Sequence, residues 1–235
     1  MKIGSGKKKM KCGLAMMAVG FSVLIFGHMS APSPQSSATS FQSISRIEAG
    51  SDVIEFFWYG CAHCKNLEQA LRDQQFHRKV NEVVRADGSP ASFRRVPATL
   101  NPLWTLHARL YFALDNLGMS DEGHFNTMKA VGVSMPKTLA QIRNLLDNQI
   151  LANEAESNRS FSASAQEVAD LMFSSQVDNQ ITEAERLSKE SGISGVPVFL
   201  VDSSMVVPLG QGLDYKSIGP AVLSLLSPRY EDFVK

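Results

Sequence analysis

Asp52-Val53-Ile54-Glu55-Phe56-Phe57-Trp58-Tyr59-Gly60-Cys61-Ala62-His63-Cys64 is the stretch on which the reading of the fold turns. Residues 52–57 form an apolar, β-branched and aromatic run of the kind that makes a buried strand. A short turn follows, and from Cys61 onward Leu67, Ala70 and Leu71 keep a helical period to about Gln75. A CxxC pair therefore stands where a strand hands over to a helix. At that position Cys61 meets the unpaired N–H groups and the dipole of the helix start, both of which stabilise an anion. The thiolate is the reactive form of cysteine, so a lowered pKa raises its population at neutral pH and makes it a better leaving group. His63, between the cysteines, can add a positive charge or a hydrogen bond to that thiolate. Cys64 lies one turn further on and is expected to be the resolving thiol.

Two plainer readings of the pair compete with this one. A zinc site needs about two more ligands. The only other cysteine is Cys12, and His77, His107 and His124 are scattered without ligand spacing, so no metal is expected. A purely structural disulfide across so short a loop removes little chain entropy and contributes little stability. Reactive exchange is the better account of Cys61 and Cys64.

Downstream, residues 92–98 read as a second strand limited by Pro97. The next segment is helical: Trp104, His107, Leu110, Tyr111, Leu114 and Leu117 share a face, with a stop at Gly118. Thr138 with Gln141 and Ser164 with Glu167 make capping boxes before further apolar-periodic runs. Ile181, Ala184, Leu187, Ser188 and Ser191 form another amphipathic helix, ended by Gly192. Residues 198–201 and 205–209 then read as a hairpin about a turn at 202–204, with Pro208 on an edge strand. A last helix starts near Asp214 and buries Ile218, Val222, Leu225 and Leu226. The order is strand, helix, strand, a long helical block, helix, hairpin, helix, an α/β arrangement. Between the penultimate helix and the hairpin stands Gly195-Val196-Pro197, where Pro197 is a candidate for a cis bond. The Val196 backbone there can pair with an extended chain beside the cysteines.

Upstream, Lys2, Lys7, Lys8, Lys9 and Lys11 precede sixteen uncharged residues, 12–27. That pattern is a secretory signal, and it is shorter than a full membrane span. The cleavage site is poor, so residues 1–27 are expected to be a signal peptide or an uncleaved signal anchor tethering the protein to the membrane. Residues 28–42, rich in Ser, Pro and Ala, read as a linker. The formal charge of zero over 235 residues hides an asymmetry. Without the leader, 18 basic side chains face 23 acidic ones, which argues against nucleic acid as the main ligand.

Taken together, residues 56–64 with Asn66-Leu67-Glu68, Phe93-Arg94-Arg95-Val96-Pro97-Ala98, Asn101-Pro102, Trp104, Leu106-His107-Ala108-Arg109 and 192–197 resemble the bacterial DsbA thiol:disulfide oxidoreductases. The likeness spans roughly residues 50–226. It implies a thioredoxin fold interrupted by an α-helical insertion domain, with thioredoxin-like parts at 43–100 and 183–235 and the insertion at 101–182. It also implies that Cys61 is the nucleophile, Cys64 the resolving thiol, His63 the thiolate stabiliser, and Val196-Pro197 the cis-proline loop that binds substrate. Glu55 matches the family's buried acid beneath the active site. As a bare feature, one Glu in an apolar strand is more often paired with a base, and Arg94 or Arg95 can be that base. Ala62 departs from the family's usual proline, which bears on redox poise.

The resemblance further implies a periplasmic monomer that needs no cofactor. Its partners would be reduced or unfolded exported proteins, with a DsbB-like membrane quinone reductase for reoxidation. The rival readings are a disulfide isomerase or reductase and a non-catalytic periplasmic chaperone. Phe57, Trp58 and Tyr59 would serve either as an apolar surface for unfolded chains or as core.

Overall fold

The computed structural model describes residues 41–43, 47–85 and 87–226. The signal expected over 1–27 and the linker residues 28–40 lie outside the described residues. Strand β1 (Gln42–Ser43) precedes β2 (Val53–Phe57), α1 (Ala62–Asp73), α2 (Phe76–Glu82) and β3 (Phe93–Pro97). Helices α3 (Pro102–Asn116), α4 (Asp121–Ser134) and α5 (Leu139–Leu145) follow. One π-helical turn, Leu146–Ile150, leads from α5 into α6 (Leu151–Ser157). Then come α7 (Ala165–Met172), α8 (Ser175–Glu190), β4 (Val198–Val201), β5 (Met205–Pro208) and α9 (Ile218–Leu226).

The five strands form one sheet in the order β1-β5-β4-β2-β3. Strand β2 runs parallel to β3 and antiparallel to β4, and every residue of β2 is buried. Side chains alternate across the sheet, and two cores follow from that alternation. Ile54, Phe56, Val198 and Leu200 face the helical layer, where they join Leu110, Leu114, Val131 and Leu187. Val53, Phe199, Val201 and Val207 face the other way, toward Leu67 and Leu71 of α1 and Ile218 and Val222 of α9.

Several expectations shift in detail. Gln42, at the end of the expected linker, pairs with Val206 in β1. Pro208 is therefore not on the outermost strand; it lies past the end of the two-residue β1, in register with Val198. The helix expected to run to about Gln75 ends as α1 at Asp73, and the left-handed Gln75 (φ 55°) turns the chain into a second helix, α2, that the pattern did not show. Ser164 and Glu167 form a complete capping box. Thr138 also caps its helix, but the Gln141 side chain accepts from the Lys137 N–H and not from Thr138. The division expected between residues 182 and 183 falls inside α8, which ends at Glu190 and is followed, after the cap Ser191, by Gly192 (φ 66°), a left-handed position suited to glycine. Leu225 and Leu226 are half-buried, whereas Ile218 and Val222 carry the buried face of α9.

Candidate active site

Strand β2 ends at Phe57, and the turn Trp58-Tyr59-Gly60 returns the chain so that Cys61 N–H donates to the Trp58 carbonyl at 3.0 Å. Cys61 is the N-cap of α1, with extended backbone (φ −88°, ψ 113°). Its sulfur occupies the place usually filled by a Ser, Thr or Asp oxygen. The Cys64 N–H donates to Cys61 Sγ at 3.1 Å. The Cys64 thiol, helped by the N–H groups of Cys64 and His63, pulls the Cys61 pKa down to about 7 against the opposing effect of partial burial. Cys64 has no exposed surface, and burial pushes its thiol far up. Cys61 and Cys64 are free cysteines in this structure.

The turn before Cys61 is braced from the helical layer. Trp58 stacks on Trp104 with centroids 4.7 Å apart, and its Nε1–H donates to His107 Nδ1 at 3.0 Å. The other ring nitrogen of His107 bonds the Pro136 carbonyl at 2.7 Å, and burial holds the ring below the ordinary histidine pKa. A neutral ring with its proton on Nε2 satisfies both contacts. Gly60 is required by this packing, because a Cβ there would stand 2.5 Å from Trp58 Cζ2. The turn aromatics divide: Phe57 and Tyr59 are core, with Tyr59 Oη bonded to His124 Nδ1 at 2.6 Å, and Trp58 is half-buried. The surface reading therefore fails for Phe57 and Tyr59.

Across from Cys61, the Val196–Pro197 bond is cis and the Val196 carbonyl oxygen lies 3.8 Å from Cys61 Sγ. A groove of about 630 Å³ runs beside this loop, lined in part by His63, Pro197, Leu213 and Tyr215. His63 is exposed, and its ring bonds the Tyr215 hydroxyl at 2.6 Å. It reaches Cys61 through its backbone N–H, not through its imidazole.

Glu55 lies beneath the cysteines and is 1% exposed. In the β2–β3 register it stands beside Arg95, while Arg94 stands beside Ile54. Arg95 is therefore its base, at 3.3 Å, and the Arg94 guanidinium bonds the Ala49 carbonyl instead. Arg95 also pairs with Glu68, an acid that entered the resemblance without a role of its own. Glu68 in turn bonds Arg72 at 2.5 Å, and Arg72 reaches Glu122 at the surface at 2.7 Å. Burial pushes the Glu55 pKa up to about 8 against the pull of Arg95, and the charges of Glu68 and Cys61 add to the rise. The signal for Glu68 was present: Cys64, Leu67, Glu68 and Leu71 share the buried face of α1, and a charge on an apolar face needs a buried partner.

No protein-family model matches the chain. Among curated proteins, the thiol:disulfide interchange protein DsbA of Azotobacter vinelandii is 30% identical over 164 residues, 68% of this chain and 65% of that protein. The protein of the same name from Burkholderia cepacia is 26% identical over 163 residues, 68% of this chain and 66% of its own length. The chain thus spans just under two thirds of the length of these relatives. Among solved structures, Pseudomonas aeruginosa DsbA superposes with a TM-score of 0.60 at 20% identity, covering 79% of this chain and 90% of that one. The oxidoreductase DsbA from Xylella fastidiosa gives 0.58 at 19% identity, covering 78% and 89%. The fold is the expected thioredoxin fold with an α-helical insertion, and in sequence the chain is similar to thiol:disulfide interchange proteins named DsbA.

Proposed function

We propose that the chain is a thiol:disulfide oxidoreductase that introduces disulfide bonds into exported proteins through Cys61 and Cys64. In the oxidised enzyme a substrate thiolate attacks Cys61 Sγ, the Cys61–Cys64 bond breaks, and Cys64 leaves as a thiolate that takes up a proton. A second substrate thiolate then attacks the substrate sulfur of the mixed disulfide, and Cys61 leaves. The substrate dithiol loses two electrons and becomes a disulfide; the enzyme gains them and becomes a dithiol. A leaving thiol of low pKa departs faster, and Cys61 is such a thiol.

The other residues have matching roles in this reading. Glu55, with its pKa near 8, interacts with both sulfurs electrostatically and is a proton donor for the departing Cys64. Val196 and Pro197 border the groove in which an extended substrate would lie, with the Val196 backbone facing Cys61. Reoxidation requires a disulfide or quinone oxidant, which a DsbB-like membrane reductase would supply outside the cytoplasm. Whether residues 1–27 are removed or retained decides between a free periplasmic enzyme and a tethered one. Among the described residues no helix is long and apolar enough to cross a membrane.

The observation that carries the proposal is the Cys61 sulfur acting as the N-cap acceptor of α1. The test is oxidative refolding of a reduced, unfolded disulfide protein by the oxidised enzyme. Stoichiometric loss of substrate thiols, absent in Cys61→Ala, is expected. Equal thiol loss with and without Cys61 would overturn the reading.

A further inference from the structure

Resting on that reading, we infer that Tyr215 is a positioning residue for the exchange reaction, holding the His63 imidazole away from Cys61. The His63 Nδ1 to Tyr215 hydroxyl distance is 2.6 Å, and the two rings lie 25° from parallel with centroids 6.4 Å apart. The donors at the Cys61 sulfur are the Cys64 thiol and the backbone N–H groups of Cys64 and His63. The one ionisable ring in the CxxC motif is therefore engaged elsewhere.

Tyr215 is itself fixed. Its carbonyl accepts from Gln74 Nε2 at 3.3 Å, which ties it to the end of α1. It sits in a turn closed by Asp214, whose Oδ1 accepts from the N–H groups of Lys216 at 3.0 Å and Ser217 at 2.8 Å. Ile218 and Val222, immediately after, are buried against α1 and the sheet. A phenol held in this way is a preorganised partner for the imidazole, while water is not. Both rings line the groove beside Val196 and Pro197, so a chain bound there meets the pair directly.

Without the hydroxyl, His63 Nδ1 loses its partner and the ring is free to turn toward the sulfur. An imidazole beside the thiolate stabilises the dithiol form and makes the disulfide a stronger oxidant. The measurement is the equilibrium constant with glutathione for the native chain, Tyr215→Phe, His63→Ala and the double variant. Tyr215→Phe is expected to favour the dithiol by about three- to tenfold, the weight of one hydrogen bond. In the His63→Ala background the same substitution should change the constant by less than about twofold, since nothing remains for the hydroxyl to hold. An unchanged constant in the native background, or an equal shift in both backgrounds, would overturn the role given to Tyr215. Those results would leave the oxidoreductase reading intact, whereas a native chain that formed no mixed disulfide at Cys61 would remove that reading instead.

Discussion

Cys61 and Cys64 are the same residue one helical turn apart, and their surroundings drive them in opposite directions. Cys61 is half-buried at the mouth of α1, where the Cys64 thiol and backbone N–H groups point at its sulfur and the pKa falls to about 7. Cys64 is enclosed by the sheet and the helical layer, above a cluster of Glu55, Glu68 and Arg95, and its pKa rises. The outer region stabilises a charge with a neighbouring thiol and oriented backbone N–H groups. The inner region carries its charges as buried pairs, and the net effect on a further anion is unfavourable. A nucleophile and a resolving thiol need just this division, and the helix start produces it without any difference in side-chain chemistry.

The comparison breaks most completely at the outer sulfur. Cys61→Ser is expected to abolish disulfide transfer, while in Cys64→Ser the Cys61 thiolate should still attack an added disulfide such as oxidised glutathione, release one half as a thiolate and keep the other as a stable mixed disulfide, as measured by mass spectrometry under non-reducing conditions. The inner region is tested next by Arg95→Met, which strands two buried carboxylates. A loss of about 3–5 kcal/mol in denaturant unfolding is expected, and the near-complete burial of Arg95 is what makes so large a loss reasonable. Gly60→Ala attacks the brace between the regions. Its new Cβ meets the Trp58 ring and should cost about 1–3 kcal/mol, accompanied by a change in tryptophan fluorescence.

The last effect is a pH dependence. Glu55 has a folded pKa raised from 4.5 to about 8, so its contribution to stability is fully present below about 4.5 and is lost as the pH rises through about 8. Glu55→Gln should flatten that decline in thermal unfolding followed from pH 4.5 to 8. Cys61 has the opposite sign. Its depressed pKa stabilises the dithiol form above about 9, a contribution lost as the pH falls through about 7.

What could be read from the chain follows the range of the interactions. The strand at 53–57, the helix start at Cys61, the Ser164 cap and the loop at Val196-Pro197 depend on neighbours a few residues away, and they stand where the pattern put them. The choice between Arg94 and Arg95 needed the register of β3 against β2, since a shift of one residue exchanges the two faces. The break at Gln75 and helix α2 carry only Phe76 and Val80 as buried positions, too few for a period to show. Tyr215 and His63 meet across 152 residues of chain, and no local signal connects them. The burial of Phe57 and Tyr59 likewise rests on Tyr111 and His124 from the helical layer.

The most direct test follows the alkylation rate of Cys61 in the reduced protein from pH 4 to 10, with Cys64 replaced by Ala in a parallel series. A rate that titrates with a midpoint near 7 in the native chain and moves upward without Cys64, whose thiol is the largest lowering influence, is the predicted result. A midpoint near 9 in both proteins, the value of an ordinary thiol, would contradict the account.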